Sequence, residues 1–269
     1  MRTAIVALLI VALAASAAWL HGSAGSAPGG ADRTRRTATP LADAAASLPA
    51  PAPAAFTPGR PQLLDRSERQ ARVAAVSRTV DALARPDLGA EPVATLEPET
   101  AEGTTNVVLI VRDAKRNGMW WLRVRLPVLP NGTTGWVPRS ALGGIEFVRT
   151  RLVIDRAQLR ATLFEGGRAV FEAPVGIGTT QAPTPAGEFY VRLKLAGFDD
   201  PFYGPLAFGT NARSAVLTDW PGGGYIGIHG TNAPELIPGR VSHGCVRMRN
   251  EDIIRLGRLM PVGTPVTIR

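Results

Sequence analysis

From about residue 91 onward, apolar residues occur in runs of only a few residues, and turn signals separate the runs. Val107 to Val111 is a continuous apolar run, and Trp120 to Leu126 alternates apolar with basic side chains. Asn-Gly or Gly-Gly pairs stand at 117–118, 131–132 and 166–167. Runs of about four to eight residues bounded by such pairs are typical of strands and too short for most helices. This part of the chain is therefore predicted to be mainly β.

The strand pattern continues to the C-terminus and is interrupted by one long loop and one helix. Further strands are predicted at 151–155, 158–164, 169–174, 188–195 and 264–269. Residues 196–215 show no periodicity and are predicted to form a long loop that could cover a functional site. One helix is predicted at 251–259, because Asn250 can cap it and two acidic residues follow in its first turn.

The N-terminal part has a different composition. Residues 1–20 carry Arg2 and then an uncharged apolar run, which predicts an export signal or a membrane anchor and places the remainder outside the cytoplasm. Residues 21–62 are rich in Ala, Pro, Gly, Ser and Thr, as in a disordered linker. A short helix is predicted within 63–86, where apolar residues recur at helical spacing, namely Val73, Val76, Val80 and Leu83.

The charge balance points to an anionic partner. The formal net charge is +8, and arginine supplies almost all of the positive charge because Lys115 and Lys194 are the only lysines. Neither a zinc finger nor a basic patch interleaved with aromatic residues is present, so nucleic acid is not expected as a partner. An anionic cell wall or membrane surface would suit this charge, and so would a merely basic soluble surface.

One short stretch carries the chemistry. Cys245 is the only cysteine, with Ser242, His243 and Gly244 directly before it and His229 upstream. A cysteine thiolate is a strong nucleophile, and a histidine within hydrogen-bond reach can take its proton. An inert buried cysteine and a zinc site are the alternatives. Zinc is disfavoured because a structural site needs four ligands and neither CxxC nor HExxH occurs, so no metal or cofactor is expected.

Two stretches around these residues resemble a known signature. Ile228 to Thr231 (IHGT) and Ser242 to Arg247 (SHGCVR) are similar to the signature of the L,D-transpeptidase catalytic domain, YkuD type, of bacterial cell-wall enzymes. Pro183 to Phe189 looks like the Thr-Pro-x-Gly-x-Phe segment of that family. The resemblance covers residues 146–269 and implies a β-sandwich-like catalytic domain with a short C-terminal helix. Residues 87–144 resemble, more weakly, a small bacterial SH3-like β domain that either binds wall glycan or peptide or only shapes the cleft.

The resemblance implies a substrate class and a set of roles. The substrates would be the donor and acceptor stem peptides of peptidoglycan, joined by 3,3 crosslinks after Cys245 is acylated and D-alanine leaves. His229 would be the base and His243 would tune or position the thiol, but the sequence alone does not decide which of the two histidines is the base. Backbone N–H groups around Gly244 and Cys245 would hold the oxyanion, with Ser242 as an orienting hydrogen-bonding residue. Carbapenem β-lactams would be covalent inhibitors.

Three further residues are predicted to bind substrate, and two rival functions stay open. Arg247 could clamp a substrate carboxylate or form an ion pair that holds its loop; Gly230 and Thr231 are the other two candidates. An L,D-carboxypeptidase would use the same residues with water as the acceptor, and a non-enzymatic wall-binding protein would need only the basic surface and the SH3-like domain. A papain-like peptidase is excluded, because no histidine follows Cys245.

Overall fold

The computed structural model describes residues 70–197, 200–217 and 224–269. These residues form two β-sheets and one α-helix, so the prediction of a mainly β protein with a short C-terminal helix is confirmed. The predicted export signal or anchor at 1–20 and the predicted linker at 21–62 lie outside the described residues. In the part of the chain that is described, no helix is long and apolar enough to cross a membrane.

The first sheet has seven antiparallel strands in the spatial order β3-β2-β6-β5-β4-β1-β7. These are β1 Ala71–Val76, β2 Val80–Leu83, β3 Pro92–Leu96, β4 Val107–Arg116, β5 Met119–Arg125, β6 Thr134–Pro138 and β7 Leu142–Val148. Alternate side chains such as Val108, Leu122 and Val124 fill its core. That residues 87–144 form an SH3-like domain remains a prediction.

The helix predicted within residues 63–86 is wrong, because β1 and β2 occupy its described part. Strand β1 lies between β4 and β7 and is buried on both faces. Ala74 and Val76 contact the core of the first sheet, whereas Val73 packs in a second cluster with Tyr190. A register shift between Ala74 and Val76 also disrupts the alternation of side chains between the two faces of β1. Because β1 is buried on both faces and contains a bulge, its valines are spaced as they would be in a helix.

The second sheet has ten strands in the order β10-β9-β8-β17-β12-β13-β14-β16-β11-β15. These are β8 Thr150–Asp155, β9 Arg160–Glu165, β10 Arg168–Pro174, β11 Gly176–Gly178, β12 Gly187–Ala196, β13 Leu206–Arg213, β14 Tyr225–His229, β15 Gly239–Ser242, β16 Val246–Arg247 and β17 Pro265–Ile268. Its apolar side chains and the helix α1, Asn250–Leu259, share one core, to which Ile253 and Leu256 contribute.

The second half of the predicted loop at 196–215 is instead a strand, since β13 lies between β12 and β14, whereas the 3-10 turn Pro201–Tyr203 lies in its first half. Its sequence hides this because polar residues occupy the strand and hydrogen bond to neighbouring backbone. The Thr210 hydroxyl donates to the Ile226 carbonyl at 2.6 Å, and the Asn211 carboxamide accepts the Tyr190 N–H at 2.8 Å. Both lie where the strand register shifts, so side chains replace missing ladder bonds and interrupt the apolar pattern.

The helix itself begins one residue earlier than predicted, and Asn250 does not cap it. Arg249 precedes the helix without a capping side-chain hydrogen bond. The Asn250 Oδ1 instead accepts the N–H of Thr231 at 2.9 Å. The helix start is therefore tied to the loop that follows β14.

Candidate active site

The two motifs singled out in the sequence meet because β14 and β16 are parallel neighbours. Ile228 lies opposite Val246, and His229 lies opposite Arg247. Ile228 and Val246 point into the core, with 1% and 0% exposure. Since side chains alternate along strands, Gly227, His229 and Arg247 face the other side of the sheet.

The thiol of Cys245 lies against Gly227 on that side. The Gly227 N–H donates to the Cys245 Sγ at 3.3 Å. A Cβ placed on Gly227 would lie 3.8 Å from the Sγ and also 3.8 Å from the Cδ2 of His229. The thiol and the imidazole edge therefore border the same small space above Gly227, which a side chain at this position would fill.

The imidazole of His229 has a fixed orientation. It is 1% exposed, and its Nδ1 lies 2.7 Å from the Gly230 carbonyl oxygen. A carbonyl only accepts, so Nδ1 carries the hydrogen in the neutral ring and Nε2 keeps its lone pair. Burial, aided by the charge of Arg247, lowers the pKa of His229 to about 4, against the opposing effect of the Gly230 carbonyl. His229 is therefore neutral at pH 7 and able to accept a proton.

The thiol is also neutral at rest. Burial raises the pKa of Cys245, and the Gly227 N–H and the charge of Arg247 only partly offset this effect. A thiol and an imidazole that are both neutral do not form a standing ion pair. Proton transfer from sulfur to nitrogen therefore has to accompany attack on a substrate.

Side chains fix the backbone around the thiol. The Ser242 hydroxyl accepts the Gly244 N–H at 3.1 Å and donates to the Cys245 carbonyl at 2.6 Å. Gly244 has φ +121°, a conformation that L side chains rarely adopt. From the other side, the Thr184 hydroxyl donates to the Gly244 carbonyl at 2.7 Å and accepts the Gly178 N–H at 2.8 Å.

These contacts distinguish the two backbone N–H groups, of Gly244 and Cys245, that were predicted to hold the oxyanion. The Gly244 N–H, predicted as a donor, is already bound to Ser242. The Cys245 N–H, by contrast, has no acceptor among the described residues. Because Thr184 holds the carbonyl of the same peptide unit, it also fixes the direction of this N–H.

An aromatic wall closes one side of the site. Phe202 and Tyr203, in the 3-10 turn Pro201–Tyr203, have ring centroids 5.9 Å and 5.1 Å from that of His229. The Arg247 guanidinium lies 4.5 Å from the centroid of Phe202. A cavity of about 40 Å³ remains, lined by Phe202, Tyr203, Ser214, Leu217, Gly224, Tyr225, Ile226, His229, Ser242, His243, Cys245 and Arg247.

Arg247 has no acidic partner within the described ranges. It is 8% exposed, and no carboxylate of those residues lies within 4.0 Å of it. Its Nε lacks a hydrogen-bond partner there as well. The alternative of a loop-holding ion pair is therefore not seen in the described structure, and the guanidinium is available at the cavity.

Most, not all, of the predicted site residues converge. Cys245, His229, His243, Ser242 and Arg247 line the cavity, and His243 is exposed. Gly230 and Thr231 lie behind it: the Gly230 carbonyl holds His229, and Thr231 is 1% exposed and bonded to Asn250. Within the described ranges, no group of three or more His, Cys, Asp or Glu residues could hold a metal ion.

Three residues of the site did not emerge from sequence reasoning. Gly227 donates to the thiol, Thr184 fixes the nucleophile's backbone, and Tyr203 packs on the imidazole. Gly227 could have been found from strand alternation, since it lies two residues before His229. Thr184 stood inside a recognised motif without an assigned role. Tyr203 lies in the segment 196–215 that was expected to cover a functional site, but nothing in the sequence distinguished this residue, because only the fold brings its turn over β14.

Comparison with known proteins supports the family resemblance seen in the sequence. Residues 149–268 match the family model of the L,D-transpeptidase catalytic domain, YkuD, and the recognition made from the sequence is thereby confirmed for these residues. The chain is similar to the putative L,D-transpeptidase YkuD of Bacillus subtilis, with 36% identity over 40% of this chain and 58% of that protein. It is 34% identical to the probable L,D-transpeptidase YbiS of Escherichia coli over 44% of each.

Among solved structures, Bd1075 of Bdellovibrio bacteriovorus is 31% identical over 45% of this chain and 47% of that chain, with a TM-score of 0.36. The chain thus spans about half the length of the relatives it matches.

Proposed function

We propose, from the match of residues 149–268 to the L,D-transpeptidase catalytic domain, that this chain joins peptidoglycan stem peptides by 3,3 crosslinks through a thioester on Cys245. The observation that supports it best is the shared space above Gly227. A thiol that receives an N–H and an imidazole with a free Nε2 meet there on one face of the sheet. A nucleophilic thiol and a neighbouring base are the two groups that acyl transfer requires.

The first half-reaction forms the thioester. The Cys245 sulfur attacks the carbonyl of diaminopimelate that precedes the terminal D-alanine of a donor tetrapeptide, while His229 takes the thiol proton. The carbon–sulfur bond forms and the carbon–nitrogen bond to D-alanine breaks. The proton on His229 passes to the departing amine, so D-alanine leaves neutral at nitrogen.

The second half-reaction transfers the acyl group. The side-chain amine of diaminopimelate in a second stem attacks the thioester carbonyl and gives a proton to His229, which returns it to the Cys245 sulfur. The new amide is the 3,3 crosslink. During both attacks, the Cys245 N–H is the backbone donor for the oxyanion, held in direction by Thr184 through the Gly244 carbonyl.

Arg247 has the position and chemistry for a substrate carboxylate. It borders the cavity two residues from the nucleophile and has no acidic partner within the described ranges. A guanidinium binds a carboxylate through two parallel hydrogen bonds. The terminal carboxylate of the donor's D-alanine is the group closest to the bond that breaks, and Arg247 is its proposed partner.

The proposed setting is outside the cytoplasmic membrane, in the wall or periplasmic space, as the sequence of residues 1–20 predicts. Carbapenem β-lactams are proposed covalent inhibitors, because their strained carbonyl would be open to the same sulfur. Incubation with a carbapenem is expected to add the mass of one inhibitor to the protein, and Cys245→Ala is expected to remain unmodified. Modification of both proteins to the same extent would contradict this assignment.

Product analysis tests the function. The protein is incubated with purified disaccharide tetrapeptide, and the products are identified by mass spectrometry. A dimer that has lost one D-alanine, absent with Cys245→Ala, is the expected result. Tripeptide without dimer would support the L,D-carboxypeptidase instead. Unchanged substrate together with tight binding to isolated wall would support the non-enzymatic alternative.

A further inference from the structure

Arg192 is a buried cation that has no acidic partner in the part of the chain that the structure describes. It lies in β12 and is 6% exposed. Among the described residues its guanidinium makes no ion pair, and its Nε makes no hydrogen bond. A guanidinium has five N–H donors, and leaving donors unmet in a protein interior is costly. Such an arginine points to an anionic group that completes it.

Arg192 belongs to a cluster that reaches the proposed active site. Its guanidinium lies 4.7 Å from the ring centroid of Tyr225, and that of Arg213 lies 4.8 Å from the same ring. Tyr225 lines the cavity beside Cys245. We call Arg125, Tyr190, Arg192, Arg213 and Tyr225 the arginine–tyrosine cluster.

The remaining members add a second unmet donor. Tyr190 is 0% exposed, and its hydroxyl has no hydrogen-bond partner among the described residues. Burial raises the pKa of Tyr190, and the charges of Arg192 and Arg125 act against this increase. The phenol therefore stays protonated and can donate. Two buried donors of different residues are thus unsatisfied in one cluster.

The distance to the nucleophile suits one residue of a peptide. Tyr225 and Gly227 are two positions apart on β14, and Gly227 contacts the Sγ of Cys245. With a rise of about 3.3 Å per residue, the cluster begins roughly 7 Å along the strand from the thiol. A peptide acylated at Cys245 would place a group about one residue away at Tyr225.

We propose that the arginine–tyrosine cluster is a subsite for a carboxylate of the donor stem peptide, so that the protein selects stems in which this carboxylate is free rather than amidated. The inference rests on the proposed function, because the stem peptide is its ligand. Arginine pairs with a carboxylate through charge-assisted hydrogen bonds, and an amide cannot replace the charge. Besides the D-alanine carboxylate assigned to Arg247, two stem carboxylates lie about one residue from the attacked carbonyl: that of D-glutamate and that at the far end of diaminopimelate.

Binding measurements on the full-length Cys245→Ala protein test the subsite. Three tetrapeptides are compared by calorimetry: one with free carboxylates, one amidated at D-glutamate, and one amidated at the far carboxylate of diaminopimelate. The free peptide is expected to bind at least about ten-fold more tightly than one of the two amides. The amide that loses affinity identifies the carboxylate.

A second variant locates the preference. Adding Arg192→Gln is expected to weaken binding of the free peptide about ten-fold and to abolish the discrimination, while the affinity for the discriminated amide stays unchanged. Arg168→Gln is the matched control, because Arg168 is exposed on β10 and should leave the discrimination intact. Equal binding of all three peptides, or discrimination that survives Arg192→Gln, would overturn the subsite.

Turnover separates the two proposals. Turnover by the wild-type protein without any preference between free and amidated stems would overturn the subsite alone. Discrimination in binding without turnover would contradict the transpeptidase and support the subsite.

Discussion

At the scale of single residues, burial sets the protonation of the reacting pair. The pKa of His229 is lowered to about 4 and that of Cys245 is raised, and desolvation of the charged form is the main cause for each. The resting site therefore holds a thiol and a neutral imidazole. Its reactivity depends on a substrate that triggers proton transfer, which protects the only cysteine from incidental reactions.

The depressed pKa of His229 predicts a pH-dependent stability. An imidazole in the unfolded chain titrates near about 6.5, so between that pH and about pH 4 the unfolded chain holds a proton that the folded protein does not. The contribution is fully present above about pH 6.5 and is lost as the pH falls towards 4, by an amount on the order of 3 kcal/mol. Denaturant unfolding between pH 7 and pH 4 measures it.

The controls for this prediction are two single variants. His229→Gln should lose much less stability on acidification, whereas His243→Gln should behave like the wild type because His243 is exposed. An equal acid sensitivity in all three proteins would contradict the burial of a neutral imidazole.

Thr184 provides a second prediction at this scale. Thr184→Val removes the donor to the Gly244 carbonyl and the acceptor of the Gly178 N–H, so the direction of the Cys245 N–H is no longer fixed. The kcat for D-alanine release should fall by about one to two orders of magnitude, whereas Thr184→Ser, which keeps the hydroxyl, should retain most of it. If kcat fell as far in Thr184→Ser as in Thr184→Val, the packing of the threonine methyl group rather than its hydroxyl would be responsible.

At the scale of elements, two neighbouring strands and one turn assemble the site. Strands β14 and β16 align the two motifs, and the turn Pro201–Tyr203 covers the imidazole. The turn is held close because Gly204, directly after it, packs against Gly230 and Asn250. Neither glycine position has room for a side chain.

The close approach at Gly204 predicts a selective effect of alanine. Gly204 and Gly197 have φ +63° and +76°, so alanine costs a similar backbone strain at each, of about 1–2 kcal/mol. A Cβ on Gly204 would lie 2.7 Å from the Gly230 Cα, whereas one on Gly197 would meet nothing within 4 Å. Gly204→Ala should therefore lose about 1–3 kcal/mol more stability than Gly197→Ala, and much more activity. Urea unfolding and D-alanine release measure both, and matching losses would refute the packing argument.

The sequence predicts correctly those elements whose signal is local. The short runs around Leu152 and Leu163 predicted strands correctly, and two acidic residues marked the helix start. It failed where tertiary structure supplies the cause: β1 is buried on two faces, and Asn211 in β13 serves a neighbouring strand with its side chain. The motif predicted that Cys245 and His229 meet, but Arg192 carried no signal, because one arginine in a strand is usually exposed.

At the scale of the whole molecule, the first sheet supports the cavity of the second. The Asn131 carboxamide donates to the Arg213 carbonyl at 2.8 Å and accepts the Arg213 N–H at 2.9 Å. The Tyr225 hydroxyl donates to the Pro127 carbonyl at 3.4 Å. Both contacts support the idea that the first sheet shapes the cleft, and binding of wall glycan or peptide by this sheet remains a prediction.

Asn131 allows this support to be tested. Asn131→Ala removes both hydrogen bonds to the Arg213 backbone and should cost about 1–3 kcal/mol of stability. It should also raise the KM for the tetrapeptide with a smaller effect on kcat, because Tyr225 lies opposite Arg213 in the sheet and lines the cavity two residues from Gly227, the residue that contacts the thiol. Asn131→Asp keeps the oxygen acceptor but not the N–H donor, so its stability and its KM should lie between those of the wild type and of Asn131→Ala. An unchanged KM in Asn131→Ala would mean that the first sheet does not shape substrate binding.

Acylation of Cys245 by the donor stem is the step on which the proposed function depends, and an intact-mass measurement detects it. The protein is mixed with tetrapeptide, quenched in acid within milliseconds to seconds, and weighed. We expect one adduct with the mass of the tetrapeptide minus D-alanine, located on Cys245, released by hydroxylamine, and absent with Cys245→Ala. Crosslinked product formed without such an adduct, or an adduct that persists in Cys245→Ala, would contradict it.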